Sequence, residues 1–292
     1  LFYCPIEDRV IDFIGGQEDL RRRVIRAIGD PDERFAEDKL RMLRAIRFAA
    51  TYGFSLEEQT LATIRRRHAE VTVVSAERIA GELRRMLSHQ TRRAAVSLLR
   101  DARLGEDILP EVFAGSKALS AEFENALRML GFLSEASFSL SLAVLLYGFV
   151  EETAVELLGR RLKLSNEEID RVCWLLAYAK SLDAAPREPW SRIQPLLIHP
   201  GAADLIELSR VRARLAGREE THLDFCRAKR ALPADELNPP PLIDGQDLIG
   251  LGIPPGPVFA VLLQKARDAQ LDGELRTREE VLASIPRWRS PF

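Results

Sequence analysis

The chain has 292 residues, 46% of them hydrophobic, with 42 Lys and Arg nearly balanced by 44 Asp and Glu. The length allows two or three helical subdomains with ample core, and the charge balance excludes a global basic field for a polyanion. Three widely spaced cysteines (Cys4, Cys173, Cys226) exclude a disulfide framework and suit a reducing cytoplasm. His68, His89, His199 and His222 show no metal-ligand spacing, and no signal peptide is evident. The longest apolar stretch, Phe138–Val150, falls short of the ~20 residues a membrane-spanning helix needs.

In chain order, Leu1–Cys4 and Val10–Ile14 read as a hairpin turning at Glu7-Asp8-Arg9. A two-stranded hairpin is marginal alone in water, so it should rest on a neighbour or stay mobile. After residue 18 the signal is almost wholly helical. Asp19 can cap a helix through Ile28 that Gly29-Asp30-Pro31 ends. The periodicity then predicts a helix over 34–50, stopping near Gly53, and further helices at about 57–68, 75–88 (capped by Ser75) and 91–103. Gly105 to Gly115 is a turn-rich break. A second helical set runs from about 119 to 231, interrupted near Pro186–Pro189 and His199-Pro200-Gly201. Asn238-Pro239-Pro240-Pro241 marks a linker, with tail helices near 256–271 and 277–284 beyond it.

The helix over 34–50 is the most informative segment. At about 100° per residue it places Phe35, Met42, Leu43, Ile46 and Ala50 on one side, and Arg34, Glu37, Asp38, Arg41, Arg44 and Arg47 on most of the other. Asp38 and Arg41, three apart, project from one face. A carboxylate only accepts hydrogen bonds and a guanidinium only donates them. Together they match the donor–acceptor edge shared by adenine and cytosine, and oppose the reversed edge of guanine and uracil, so wrong bases would stay unpaired. The surrounding arginines, Arg44 among them, would welcome a nucleotide's phosphates. The plainer alternative is an exposed helical ion pair, worth about 0.2–0.5 kcal/mol.

Residues 9–54, from Arg-Val-Ile-Asp-Phe-Ile-Gly-Gly to Arg-Phe-Ala-Ala-Thr-Tyr-Gly-Phe, resemble the neck of class II nucleotidyltransferases, the bacterial CCA-adding tRNA nucleotidyltransferases and related poly(A) polymerases. Two motifs occur in order: the Asp-x-x-Gly-Gly connection (Asp12, Gly15, Gly16) and the Glu-Asp-x-x-Arg nucleotide template (Glu37, Asp38, Arg41). Ser75-Ala76-Glu77-Arg78 matches the following neck motif more loosely. The resemblance implies a mainly α chain of helical neck, body and tail, preceded by a hairpin left from an α/β head. It divides the chain at 1–18 (hairpin), 19–116 (neck), 117–232 (body) and 233–292 (tail).

It also implies transfer of AMP or CMP from ATP or CTP to an RNA 3′-hydroxyl, with the tRNA 3′ end as partner and Mg2+ as the metal. In the family that metal sits on a Gly-Ser…Asp-x-Asp head, and no Asp-x-Asp on a Gly-Ser strand occurs here. The expectation is therefore that the chain starts inside its own enzyme, that it holds no catalytic or metal-binding residue, and that it supplies nucleotide selection and RNA binding. By resemblance Asp38 and Arg41 read the base, Glu37 orients Arg41 or caps, and Gly15-Gly16 lets the neck pivot. Arg21, Arg22, Arg23, Arg65, Arg66 and Arg67 are candidate RNA contacts, since residues 1–100 hold 19 basic and 15 acidic groups against 23 and 29 in the rest. A solvated helix face is the competing reading of both runs.

Many relatives carry a phosphohydrolase His-Asp pair after a Leu-Ala-x-Leu-Leu helix. Here Leu142-Ala143-Val144-Leu145-Leu146 runs into Tyr147-Gly148, which cannot replace it. The alternative to an enzyme part is a non-catalytic helical RNA-binding or scaffold fragment.

Overall fold

The computed structural model describes residues 1–115, 117 and 120–289. These fold into two compact units: residues 1–177 with 215–217, and residues 178–214 with 218–292. Helices dominate both, as the sequence predicts. The boundary at 177/178 falls inside the segment expected to form a single body over 117–232.

The first unit opens with antiparallel strands β1 (Phe2–Cys4) and β2 (Arg9–Ile11), in register Phe2↔Ile11 and Tyr3↔Val10. The hairpin exposes Phe2, Tyr3, Ile6 and Phe13. Helix α1 (Gly16–Arg22) ends six residues before the expected Ile28. Arg23 adopts a left-handed conformation (φ 56°) and its N–H caps the last turn on the carbonyls of Asp19 and Leu20. The β-branched pair Val24–Ile25 then forms β3, parallel to β4 (Ser55–Leu56), a connection that no local signal announces.

Between these strands lie α2 (Pro31–Glu37), capped by Asp30 on the N–H of Asp32 with Pro31 at its first position, and α3 (Leu40–Tyr52). Met42, Leu43, Ile46, Ala49 and Ala50 of α3 are buried. They pack against α5 (Ala76–Leu87) and α6 (Arg92–Asp101), which follow α4 (Glu58–Arg67) and a 3-10 turn at His68–Val73. Ser75 occupies the position before α5 but its hydroxyl makes no cap hydrogen bond. The expected break over 105–115 instead holds α7 (Leu104–Ile108) and α8 (Pro110–Phe113), whose Leu104, Ile108, Val112 and Phe113 are buried. Apolar content there outweighs the Gly and Pro punctuation.

The expected start of the second helical set, at 119, lies outside the described residues. Its first described helix is α9 (Ala121–Phe132), followed by α10 (Phe138–Leu146), α11 (Glu152–Arg161) and α12 (Asn166–Ala177). Every residue of α10 is buried, packed on α12 and α9, so the Leu-Ala-x-Leu-Leu run is core. Arg92, 1% exposed, donates to the carbonyls of Leu87, Leu133 and Ser134 and closes the ends of α5 and α9.

The second unit holds α13 (Trp190–Ile198), α14 (Ala202–Leu215, all but its last residue), α15 (Thr221–Arg230), α16 (Ala234–Leu237), α17 (Gly245–Gly250), α18 (Pro257–Leu271) and α19 (Arg278–Arg289). Leu248, Ile253, Leu262, Val281 and Ile285 form the tail core. The Pro-rich stretch is no loose linker. Gln194 donates to the Leu237 carbonyl and to the Asn238 side chain, Arg267 to the Pro239 carbonyl (2.7 Å), and Gln270 to the Pro240 carbonyl (2.8 Å). Prolines lack N–H groups, so their carbonyls are the handles by which the strap is tied down.

Candidate functional site

The segment expected as one helix over 34–50 is broken at Asp38. That residue is extended (φ −149°, ψ 106°) and ends α2, while its carbonyl and carboxylate start α3 by accepting the N–H groups of Arg41 (3.1 Å) and Leu40 (3.1 Å). Asp38 and Arg41 therefore do not share the surface of a continuous helix. An Asp in this role competes for backbone N–H groups and favours a helix start over a helix interior.

Each of the pair is held by another residue. Asp38 accepts from Arg78 (2.8 Å), the arginine of the Ser-Ala-Glu-Arg motif forty residues on. Burial would raise the Asp38 carboxyl, but Arg78, the Leu40 N–H and the nearby Arg41 charge together hold it below the usual range. Arg41 donates to the Arg34 carbonyl (2.9 Å) and pairs with Glu37, which also accepts from Arg34 (2.8 Å). The Arg41 hydrogen bond is the main reason the Glu37 carboxyl lies below its ordinary value. The acceptor and donor are thus fixed from opposite sides: Asp38 from α5, Arg41 from the end of α2.

Arg41 faces a cleft of about 310 Å³ lined by Ile25, Ile28, Arg34, Phe35, Arg44 and Phe48 among others. Its wall is mostly carbon and its rim cationic, a combination suited to a flat heteroaromatic base with an anionic tail. Arg44 is exposed and lies 5.9 Å from the centre of the Phe48 ring. Arg47 sits over the same ring at 4.1 Å and is tied to the buried Glu82 (2.6 Å). Arg78, Phe48 and Ile28 were not singled out by sequence reasoning. Only Arg78 carried a signal, in its loose motif match.

The connection motif forms a clamped turn. Asp12 accepts from the N–H groups of Ile14 (3.2 Å), Gly16 (2.9 Å) and Gln17 (2.8 Å), and these bonds, Gln17 first, hold its carboxyl low. Gly15 takes φ 74°, where a side chain would be strained, and a Cβ on Gly16 would meet the Leu1 side chain at 3.1 Å.

The two arginine runs fare differently. Arg21, Arg22 and Arg23 are exposed at the end of α1, with Arg21 paired to Glu18. Arg65 donates to the Asp101 carbonyl (2.6 Å), Arg66 pairs with Asp32, and Arg67 binds Asp32 (3.2 Å) and Glu70 (2.9 Å). The second run is largely spent within the fold. Among the described residues no group of three or more His, Cys, Asp or Glu could hold a metal ion. No helix among them is long and apolar enough to cross a membrane.

Residues 136–285 match the family described as tRNA nucleotidyltransferase domain 2, and residues 53–115 match "Probable RNA and SrmB-binding site of polymerase A". The chain is 29% identical over 290 residues to the CCA-adding enzyme of Limosilactobacillus reuteri (strain DSM 20016), covering 94% of itself and 66% of that enzyme. To the CCA-adding enzyme of Geobacillus kaustophilus (strain HTA426) it is 32% identical over 285 residues, covering 93% and 65%. Among solved structures it resembles the Bacillus stearothermophilus CCA-adding enzyme in complex with CTP (TM-score 0.72, 27% identity, 96% of this chain and 69% of that one). It shares the fold of the Thermotoga maritima CCA-adding enzyme complexed with tRNA (TM-score 0.59, 23% identity, 95% and 67%). The chain spans about two thirds of the length of the two relatives it matches end to end.

Proposed function

The chain belongs to the class II nucleotidyltransferase family of CCA-adding enzymes and poly(A) polymerases, and on that premise we propose that it selects ATP and CTP and supports the RNA in nucleotide addition to a tRNA 3′-hydroxyl. The observation that carries this reading is the Asp38–Arg41 pair, each member fixed by a different partner, with Arg41 lining an apolar cleft with a cationic rim. The Arg41 guanidinium donates to the ring nitrogen and the Asp38 carboxylate accepts from the exocyclic amino group, an arrangement open to adenine and cytosine. Guanine and uracil place acceptor against carboxylate and donor against guanidinium. Their rejection comes from desolvated groups left unpaired.

Glu37 orients Arg41, Arg78 orients Asp38, and Arg44 meets the phosphates. Asp12, Gly15 and Gly16 set the angle at which the hairpin leaves the neck. The exposed Arg21–Arg23 run contacts RNA backbone as point charges. No residue of this chain is assigned to the transfer step itself. The relatives named CCA-adding enzymes support tRNA as the acceptor over a poly(A) tail.

The test is binding of the four nucleoside triphosphates to this chain, followed by NMR line broadening so that weak affinities register. ATP and CTP should bind about tenfold or more tightly than GTP and UTP, and Arg41→Ala should erase the difference. Equal binding of all four by the unsubstituted chain refutes the template role.

A further inference from the structure

The side of α3 that presents Arg41 to the cleft continues along the helix as Arg44, Phe48 and Tyr52, four residues apart and so one above another. The Phe48 and Tyr52 rings lie 6.2 Å apart with an interplanar angle of 15°, and Phe54, just past the helix, tilts toward Tyr52 at 6.0 Å. Arg47 and Arg44 attend the Phe48 ring at 4.1 and 5.9 Å. The core does not require this row: the apolar side of α3 is already filled by Met42, Leu43 and Ile46, while Tyr52 is 62% exposed. An exposed tyrosine ring beside half-buried phenylalanine rings and guanidiniums suits a partner that offers flat faces and negative charge together. Single-stranded RNA has both, whereas an apolar polypeptide would leave Arg44 without a counter-charge.

We propose that the Arg44–Phe48–Tyr52 side of α3 is a stacking platform for the single-stranded 3′ end of the RNA, receiving the bases that precede the one being extended. The proposal rests on reading the adjoining cleft as the nucleotide site. From residue 41 to residue 52 the helix rises about 16 Å at ~1.5 Å per residue. That accommodates roughly four or five nucleotides at ~3.4 Å each along a stacked strand. The terminal base meets Phe48 beside the incoming nucleotide, whose phosphates Arg44 meets, and earlier bases reach Tyr52. Glu82, buried on α5, is a positioning residue that keeps Arg47 over the Phe48 ring.

The test measures affinity of this chain for a short single-stranded RNA by fluorescence anisotropy, with 2-aminopurine near the 3′ end reporting stacking by loss of its emission. Tyr52→Ala should weaken RNA binding about 5- to 100-fold and restore the emission, with ATP binding unchanged. Tyr52→Phe and Tyr52→Trp should both keep affinity and quenching, which a role for the hydroxyl or for packing would not produce. Unchanged RNA affinity in Tyr52→Ala, or a Phe variant as weak as the Ala variant, overturns the platform. So does dissociation of a dimer by Tyr52→Ala, which would give this face to a second copy. A chain that binds ATP selectively but no RNA overturns the platform and spares the nucleotide reading; one that binds neither overturns both.

Discussion

The cleft-facing side of α3 and the last turn of α4 are both arginine-rich in sequence, and the fold uses them in opposite ways. On α4, Arg65, Arg66 and Arg67 reach the Asp101 carbonyl, Asp32 and Glu70, so the run fastens helices together. On α3, Arg41 is oriented by Glu37 at the cleft edge, and Arg44 is exposed beside a ring. A count of positive charge does not distinguish the two; what matters is which donors the fold uses up, since the bonds of Arg41 to Glu37 and the Arg34 carbonyl both go through Nη1, whereas Arg67 spends Nη1 on Asp32 and Nη2 on Glu70. An arginine whose donors are already satisfied gives little to a ligand, since binding must first break an existing bond.

This contrast can be broken or sharpened by substitution. The largest effect is expected from Glu82→Ala, which leaves the half-buried Arg47 unpaired beneath the α3 platform. A stability loss of about 3 kcal/mol in chemical denaturation is predicted, and a loss below about 1 kcal/mol would mean that Arg47 finds water instead. Arg67→Ala should cost about 1 kcal/mol through its contacts with Asp32 and Glu70, with RNA and nucleotide affinity unchanged. If RNA binding falls while stability holds, the α4 run belongs with α3 after all. The smallest effect is one of pH. Glu37 is held below its ordinary value by Arg41, so the clamp is fully present above the unfolded glutamate value and is lost as pH falls through the lower folded value. ATP-over-GTP preference should therefore be flat above about pH 5 and decline below about pH 4. Glu37→Gln should show the acid behaviour at neutral pH; a preference indifferent to both would show that Arg41 needs no orienting carboxylate.

The regular elements were legible because their signals are local. The helices expected at 57–68, 75–88 and 91–103 appear as Glu58–Arg67, Ala76–Leu87 and Arg92–Asp101. The tail helix at 256–271 begins at its Pro and ends as expected. Gly53 ends the neck helix where left-handed φ predicts, whereas Asp30-Pro31, expected to end a helix, starts one. Three of the misses involve partners distant in sequence. Nothing in Glu37-Asp38-Lys39-Leu40 forbids a helix; the break at Asp38 is fixed in part by Arg78 forty residues away. Val24–Ile25 leaves the helical pattern to pair with Ser55–Leu56. The Pro-rich strap reads as a linker until Gln194, Arg267 and Gln270 are found holding its carbonyls.

The sequence by itself determined that the chain is mainly helical, where most helices start and stop, and which family it belongs to, because capping, periodicity and motif order are carried by near neighbours. Only the tertiary structure decided that the helix breaks at Asp38 with Arg41 just beyond it, which arginines the fold ties to carboxylates and carbonyls, and that the Phe48 and Tyr52 rings stack on one another. Those outcomes depend on side chains from separate elements meeting in space, and a carboxylate or guanidinium can satisfy its hydrogen bonds with whichever partner the fold brings within about 3 Å.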